Sequence, residues 1–193
     1  MLRGTSEIDL RPLEAFPKLD SLWLELKSES NVRNVVKQIA RLRQLEELQL
    51  DSPSLTGDDL APLRGLEILA DLVLRGGDFK DSTLVHLQDL PRLGLLDIGG
   101  AKFTDVGLNQ LNENLEFINF CDLSISDAEL ACFRRLPKLR HLRLGECAFT
   151  DAGLASLAGM DRLKFFEAKS SHVTNAGVET ARQSMPNCSF FVR

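Results

Sequence analysis

The sequence predicts an α/β solenoid in which a curved parallel sheet forms the concave face and short helices form the convex face. Two observations predict this fold. Leucine and other apolar residues recur in an LxxLxL pattern at steps of 22 to 26 residues along nearly the whole chain. A second block, led by Thr, Ser or Lys, follows each strand from the second onward at a similar spacing. A repeat of this length cannot cover its own apolar side chains, so neighbouring repeats must stack.

Each LxxLxL copy predicts one strand with a single buried face, because apolar and polar residues alternate with a period of two. The copies are separated by 26, 24, 24, 22, 24, 24 and 25 residues and begin at Leu19, Leu45, Leu69, Leu93, Leu115, Leu139, Leu163 and Cys188. Stacking places equivalent strands side by side in a parallel sheet. The last copy, Cys188-Phe191-Arg193, is the weakest, and we predict a closing strand over residues 187–193.

The second block predicts a short helix or 3₁₀ turn in each repeat. The blocks read TGDDL, KDSTL, TDVGL, SDAEL, TDAGL and TNAGV, and begin at Thr56, Lys80, Thr104, Ser126, Thr150 and Thr174. Thr or Ser at this position can cap a helix, and an Asp in the first turn lies at the positive end of the helix dipole. We therefore interpret the recurring Asp81, Asp105, Asp127 and Asp151 as helix-capping residues and not as calcium ligands.

The irregular repeats carry their own predictions. The 26-residue step follows Leu24, where five apolar residues at helical spacing predict a longer true helix. The 22-residue step predicts a helix shortened by two residues after Leu108. Residues 1–18 are too short for a repeat, so we predict that they form an amino-terminal cap on about seven repeats in residues 19–186, within one domain spanning 1–193.

The segment LRHLRLGECAFTDAGLASLAGMDRL (Leu139–Leu163) resembles a nearly complete repeat of the leucine-rich-repeat family. Its TDAGL block is most similar to bacterial repeats that are related to the cysteine-type repeats of F-box adaptor proteins. The resemblance covers roughly residues 19–193 and implies a leucine-rich-repeat solenoid. The resemblance implies binding through the concave face. It does not identify a partner, because many functions share this fold.

Composition favours a soluble globular protein without a nucleic-acid or membrane partner. Hydrophobic residues make up 44% of the chain and charged residues 26%. The net charge of −5 lies entirely in residues 1–97, which hold 12 Lys/Arg and 17 Asp/Glu, and a nucleic-acid partner would favour the opposite sign. No apolar run suits a signal peptide or a membrane helix. The four cysteines form no CxxC pair, which favours the reducing cytoplasm.

The sequence offers no constellation for catalysis, a metal or a cofactor. It contains neither GxxxxGK[ST] nor GxSxG. His86, His141 and His172 come from different positions of the repeat and are not expected to converge on a metal. Adjacent carboxylates such as Asp58 and Asp59 fit a helix start better than an acid–base pair. We therefore expect a non-enzymatic protein without a cofactor.

The concave face is the predicted binding surface, because the outward side chains of the strands form ladders there. The candidate partner-binding residues are Trp23, Glu47, Asp71, Leu95, Phe117, His141, Arg143, Phe165 and Phe190. The apolar stretch from Leu95 to Phe190 indicates either a contact surface or rings that stack on one another and stabilise the sheet. The acidic residues Glu25, Glu47, Asp51 and Asp71 indicate either a site for a basic partner or ordinary solvation.

The leading functional hypothesis is a cytoplasmic protein–protein recognition module or adaptor. One alternative is an inhibitor or immunity-like protein that covers an enzyme. Another is a structural repeat unit that assembles with itself. We expect a monomer, with a dimer formed through an exposed edge strand as the alternative.

Overall fold

The computed structural model describes residues 8–27, 31–121, 123–170 and 172–192. Residues 1–7 of the predicted cap and Arg193 of the predicted closing strand lie outside this range. Within it, the chain forms ten strands and six α-helices. Three 3₁₀ segments, Arg11–Ala15, Gly57–Gly65 and Phe133–Arg135, complete the regular structure.

Eight strands form one parallel sheet in the order β1-β2-β3-β5-β7-β8-β9-β10. Every neighbouring pair is parallel, so each repeat adds one strand and then returns along the helical side. These strands are β1 (Ser21–Glu25), β2 (Glu47–Asp51), β3 (Asp71–Arg75), β5 (Leu95–Gly99), β7 (Phe117–Cys121), β8 (His141–Cys147), β9 (Phe165–Ser170) and β10 (Ser189–Val192). The short strands β4 (Phe79–Lys80) and β6 (Ala101–Lys102) pair separately.

The helices line the other side, as the repeat pattern predicts. They are α1 (Val32–Ile39), α2 (Asp81–Leu87), α3 (Asp105–Leu108), α4 (Asp127–Cys132), α5 (Asp151–Ser156) and α6 (Asn175–Ser184). The longer helix expected after Leu24 is the eight-residue α1. The shortening expected near Leu108 appears as the four-residue α3.

The core is continuous along the solenoid and contains most of the residues that the LxxLxL pattern selects, although Leu19 and Leu22 of the first copy are only partly buried. In β8, Leu142 is fully buried and Leu144 is 6% exposed, while Arg143 between them is exposed. Eight apolar residues of this repeat are buried: Leu139, Leu142, Leu144, Cys147, Phe149, Leu154, Leu157 and Met160. The period-two alternation therefore predicts correctly which side chains hold the stacked repeats together.

The two-residue deletion between β5 and β7 is accommodated by a buried asparagine. Asn112 is 5% exposed and follows the shortened α3. Its side-chain amide donates hydrogen bonds to the carbonyl oxygens of Leu90 at 2.6 Å and of Leu87 at 3.4 Å in the preceding repeat. Its own carbonyl accepts from the Asn114 N–H at 2.8 Å. The amide thus ties the shortened repeat to two backbone carbonyls of the preceding repeat, and its own polar atoms are satisfied.

The segment that precedes β1 packs against α1. Leu10 is 1% exposed, and its N–H donates to the side-chain oxygen of Gln38 at 2.7 Å. The Gln38 amide donates in turn to the carbonyl oxygen of Ile8 at 3.1 Å. One glutamine therefore ties this segment to the first helix, and the 3₁₀ turn Arg11–Ala15 then leads toward β1.

The last strand differs from the prediction by one residue. The predicted step of 25 residues made Phe191 a core residue and placed Phe190 on the concave face. In the structure Phe190 pairs with Phe166 and is 5% exposed, whereas Phe191 is 45% exposed. The placement of Phe190 among the concave-face candidates is therefore wrong, and Phe191 takes its place.

The shift arises because the segment leading into β10 is one residue shorter than the segment leading into β9. In β9 the buried Phe166 follows Leu163 by three residues, as LxxL requires. Cys188 is the equivalent of Leu163, since its N–H donates to the Met185 carbonyl at 3.0 Å. The buried Phe190 follows Cys188 by only two residues. Because two adjacent phenylalanines suit either alignment, the apolar pattern alone cannot show which ring faces the core.

A carboxylate links the start of one helix to the start of the next. Asp127 in α4 accepts hydrogen bonds from the backbone N–H and the hydroxyl of Thr150, which precedes α5, at 2.7 and 2.9 Å. The same two bonds, at 2.6 to 2.8 Å, join Asp81 to Thr104 and Asp151 to Thr174. The interpretation of these aspartates as caps of their own helices was incomplete, because three of the four, Asp81, Asp127 and Asp151, accept from donors of the following repeat.

In the other blocks a residue three positions after the cap accepts from the cap's own N–H, so the bond stays within one repeat. These bonds measure 3.1, 3.1 and 2.9 Å and join Thr56 to Asp59, Lys80 to Thr83 and Ser126 to Glu129. Ser126 and Glu129 thus form a capping box at the start of α4.

Glycine three residues after the cap distinguishes the blocks that bond to the preceding repeat from those that bond within one repeat. A Cβ atom added there would lie 2.0 to 2.2 Å from a carboxylate oxygen of the preceding repeat in all three cases, Gly107, Gly153 and Gly177. Side chains essentially never approach so closely, so only glycine leaves room for the linking carboxylate. The TDxGL block therefore encodes a bond between repeats, and TxxD or SxxE a bond within one.

Candidate binding face

Alternation along the eight strands leaves every second side chain on the face opposite the helices. Of the nine predicted partner-binding residues, eight lie on this face in the register that the repeat predicts, from Trp23 in β1 to Phe165 in β9. The ninth, Phe190, lies in the core. The face divides into two parts with different chemistry: an aromatic row toward the carboxyl end and an acidic half toward the amino end.

The aromatic row consists of Phe117, His141, Phe165 and Phe191 on four successive strands. Ring centroids lie 5.6 Å apart between Phe117 and His141, 6.0 Å between His141 and Phe165, and 5.3 Å between Phe165 and Phe191. The planes of neighbouring rings are inclined by only 29 to 33°. Such contacts stabilise the sheet by roughly 0.5–1.5 kcal/mol per pair.

The rings of the row remain accessible although they touch one another. Phe117, His141 and Phe165 are half-buried, and Phe191 is 45% exposed. Leu95 extends the apolar surface by one strand, since it pairs with Phe117 and is also half-buried. Stacking and contact with a partner are therefore compatible uses of the same side chains. The doubled phenylalanines of β9 and β10 were the signal for Phe191, because one ring of each pair must face outward.

The acidic half consists of Glu25, Glu47, Asp51 and Asp71 on β1, β2 and β3. No described cation forms an ion pair with any of the four. The Ser21 hydroxyl donates a hydrogen bond to Glu47 at 3.1 Å. The single cation of these strands, Arg75, lies opposite Asp51 in the register of β2 and β3 but forms its ion pair with Asp97 of β5, at 2.5 Å. The acidic half therefore carries a net negative charge.

The remaining strands of the face balance their charges. Arg143 lies 2.9 Å from Glu167, and Lys169 lies 2.5 Å from Glu146. With Asp97 held by Arg75, each carboxylate on strands β5 to β10 has a basic partner. Arg143, a predicted binding residue, is thus already paired within the face.

Burial and the neighbouring charge of Glu47 raise the pKa of Asp71 above that of an ordinary aspartate. Glu47 pairs with Asp71 in the register of β2 and β3, so two like charges face each other directly. Like charges placed opposite one another destabilise a sheet. The free protein therefore holds this arrangement at the expense of stability, as binding sites often do.

Replacing Asp71 with asparagine is expected to stabilise the protein at neutral pH. A raised folded-state pKa favours folding only below the unfolded pKa, and the benefit is lost as pH rises through the folded value. Asp71→Asn should therefore raise the free energy of unfolding at pH 7, by less than about 1 kcal/mol because solvent screens the pair. Urea unfolding at pH 7 and pH 3 measures this difference, which should vanish at pH 3. Asp89→Asn, an exposed carboxylate outside the sheet, is the control. A loss of stability at pH 7 would show that Asp71 has a stabilising partner.

The structure shows no arrangement suited to metal binding in the described part of the chain: no group of three or more His, Cys, Asp or Glu side chains converges there. His141 packs against Phe117 in the aromatic row. His86 lies on α2 beside Asp58, with 3.8 Å between His86 Nε2 and Asp58 Oδ1. The face offers aromatic contact at one end and attraction of cations at the other.

No protein-family model matches the sequence, and no curated protein shows significant similarity to it. Solved structures do resemble it. An internalin from Listeria monocytogenes superposes with a TM-score of 0.68 at 21% identity, over 95% of this chain and 50% of its own. A second internalin from the same species gives 0.62 at 16% identity, over 90% and 80%. The chain of a TLR13–ssRNA13 complex gives 0.60 at 16% identity, over 94% and 33%.

The fold is a leucine-rich-repeat solenoid. Identities of 16 to 21% establish the fold and not a function, since this fold serves many partners. The chain spans half the length of the first internalin and a third of the TLR13 chain. Among the described residues, no helix of the leucine-rich-repeat solenoid is long and apolar enough to cross a membrane.

Proposed function

We propose that this leucine-rich-repeat protein is a non-catalytic recognition module that binds a protein partner on its concave face. The observation that carries the proposal is the aromatic row, four accessible rings in contact on a surface that otherwise faces water. Aromatic side chains are the usual energetic centres of protein interfaces. The row is also rigid, because each ring is supported by its neighbour, so little side-chain entropy is lost on binding.

A protein partner fits the face better than a nucleic acid. The TLR13 structure is a complex with a single-stranded RNA, so the fold itself admits either kind of ligand. In this chain the acidic half presents four carboxylates on three adjacent strands, and no described cation forms an ion pair with any of them. A phosphate backbone would be repelled there, whereas nucleic-acid binders concentrate positive charge at the contact surface.

Truncating two rings of the row is expected to abolish partner binding while the fold persists. Phe117→Ala combined with Phe165→Ala should weaken binding about 100-fold or more, because central aromatic anchors commonly contribute 2 kcal/mol or more each. The partner is found by retention of proteins from native lysate and mass spectrometry, and the purified candidate is then titrated against both forms by calorimetry. Circular dichroism should retain the helix signal of the wild type.

The matched control truncates two exposed apolar residues on the convex helices. Val85 in α2 is 37% exposed and Val106 in α3 is 66% exposed. Val85→Ala with Val106→Ala should leave the dissociation constant unchanged. The concave-face proposal fails if the convex pair weakens binding and the aromatic pair does not. Unfolding of the aromatic pair would instead assign the rings to sheet stability alone.

We further propose a cytoplasmic monomer, possessing the TDAGL type of repeat found in bacterial proteins, that serves as an adaptor. All four cysteines are free, which suits a reducing compartment. Burial raises the pKa of Cys147 and of Cys188 to about 11, so both thiols stay protonated and unreactive at neutral pH. Light scattering over a range of concentrations distinguishes a monomer from a self-assembling unit.

A further inference from the structure

The only tryptophan of the chain lies within the acidic half. Trp23 occupies the middle of β1 and is 72% exposed, which is unusual for so large an apolar side chain. Glu25 follows it on the same face of the same strand, and Gln49 lies directly opposite on β2. Glu47 and Asp51 flank Gln49 on that face of β2.

These neighbours place carboxylates so close to the indole that one side chain of a partner could contact both. Adjacent strands are about 4.8 Å apart, and residues two apart on a strand are separated by about 7 Å. A cation above the Trp23 ring would therefore lie close to Glu25, Glu47 and Asp51. The face of an indole attracts cations, and the attraction is strongest for tryptophan among the aromatic residues.

We infer that the partner presents an arginine to Trp23 and the acidic half, which deepens the proposed function and rests on it. The planar guanidinium can stack on the indole while its N–H groups donate to carboxylates at the edge, which the compact ammonium of lysine cannot do equally well. The partner's arginine also neutralises the repulsion between Glu47 and Asp71. The two halves of the face then have distinct tasks: the aromatic row contacts apolar side chains, and the acidic half orients the partner by charge.

The chain carries its own reporter for this inference. It has one Trp and no Tyr, so tryptophan emission comes from Trp23 alone. Hexa-arginine is titrated into the intact protein while this emission is followed, and hexa-citrulline, a neutral isostere, is titrated in parallel. Hexa-arginine should change the emission saturably and protect Trp23 from acrylamide, hexa-lysine should bind at least threefold more weakly, and hexa-citrulline should have no effect.

Two double variants test the role of the carboxylates. Glu47→Gln with Asp71→Asn should weaken hexa-arginine binding about tenfold, and folding is not at risk because a repulsion is removed. Glu67→Gln with Asp89→Asn changes the net charge equally at exposed positions outside the sheet and should leave binding unchanged. Equal weakening by both pairs would reduce the effect to net charge and overturn the inference.

Other occupants give different outcomes. A response to calcium chloride at lower concentration than to hexa-arginine would assign the acidic half to a metal ion and overturn the inference. An increase in mass with concentration, lost in the Glu47→Gln/Asp71→Asn variant, would assign it to a second copy of the chain. Failure of hexa-arginine to bind, with partner binding still lost in the Phe117→Ala/Phe165→Ala variant, would reject the arginine site and leave the proposed function intact.

Discussion

Leu142→Asp is expected to unfold the protein. The Leu142 side chain is fully buried in β8 and pairs with Ile118 of β7 and Phe166 of β9, which are themselves fully buried. An aspartate there would lose the leucine's packing and bury a carboxylate without a partner, at a combined cost of about 5 kcal/mol or more. That cost is comparable to the whole stability of an ordinary domain. Circular dichroism at 25 °C should show loss of the native signal.

The control for this variant introduces the same residue type on the other face of the neighbouring strand. Asn119 is half-buried in β7 and pairs with Arg143 in the register of the sheet. Asp97 of β5 lies opposite Asn119 on its other side, so an aspartate there would be attracted by Arg143 and repelled by Asp97, and Asn119→Asp should change the free energy of unfolding by about 1 kcal/mol at most. If Leu142→Asp unfolded cooperatively near the wild-type temperature, the continuous core inferred from the stacked repeats would be wrong.

Gly177→Ala is expected to destabilise the protein, although alanine is the better helix former. A Cβ at Gly177 would lie 2.0 Å from Oδ1 of Asp151 and 2.3 Å from its Cγ. Overpacking of this kind commonly costs about 1–3 kcal/mol. Without the clash, the same change in α6 should gain up to about 1 kcal/mol from helix propensity. The sign of the change in urea unfolding therefore reports directly on the linking carboxylate.

A double-mutant cycle separates the clash from other causes. The three atoms nearest the added Cβ all belong to the Asp151 side chain, so Asp151→Ala removes them. In that background Gly177→Ala should become neutral or stabilising, a reversal that no purely local effect on α6 explains. Ala176→Gly, at the exposed neighbouring position, measures the propensity difference alone. An unchanged cost of Gly177→Ala in both backgrounds would reject the link between repeats.

The hydrogen bonds to Asp151 also predict a pH dependence. Acceptance from the Thr174 hydroxyl and N–H lowers the pKa of Asp151 below its usual value. A lowered folded-state pKa contributes stability above the unfolded pKa, and this contribution is lost as pH falls through the folded value. The destabilisation caused by Asp151→Ala should therefore diminish below about pH 3.8.

The concave face shows where sequence reasoning stops. Alternation placed Trp23, Phe117 and Phe165 on the outer face, because the direction of a side chain follows from its parity along the strand. Parity could not decide between Phe190 and Phe191, since the one-residue shortening lies in a turn that no apolar pattern marks. The sequence pattern also does not show which carboxylates lack an ion pair, because each ion pair of the face joins residues about one repeat apart.

The sequence by itself determined the repeat, the parallel sheet, the buried leucines and the helix starts. These follow from local periodicity, in which hydrophobic burial acts on each residue according to its position in the repeat. Only the tertiary structure decided how neighbouring repeats contact each other: the stacking of the aromatic row, the charge left over in the acidic half, and the carboxylate of Asp151 lying against Gly177. Such contacts depend on distances of a few ångströms between chain segments some two dozen residues apart, which a one-dimensional pattern does not contain.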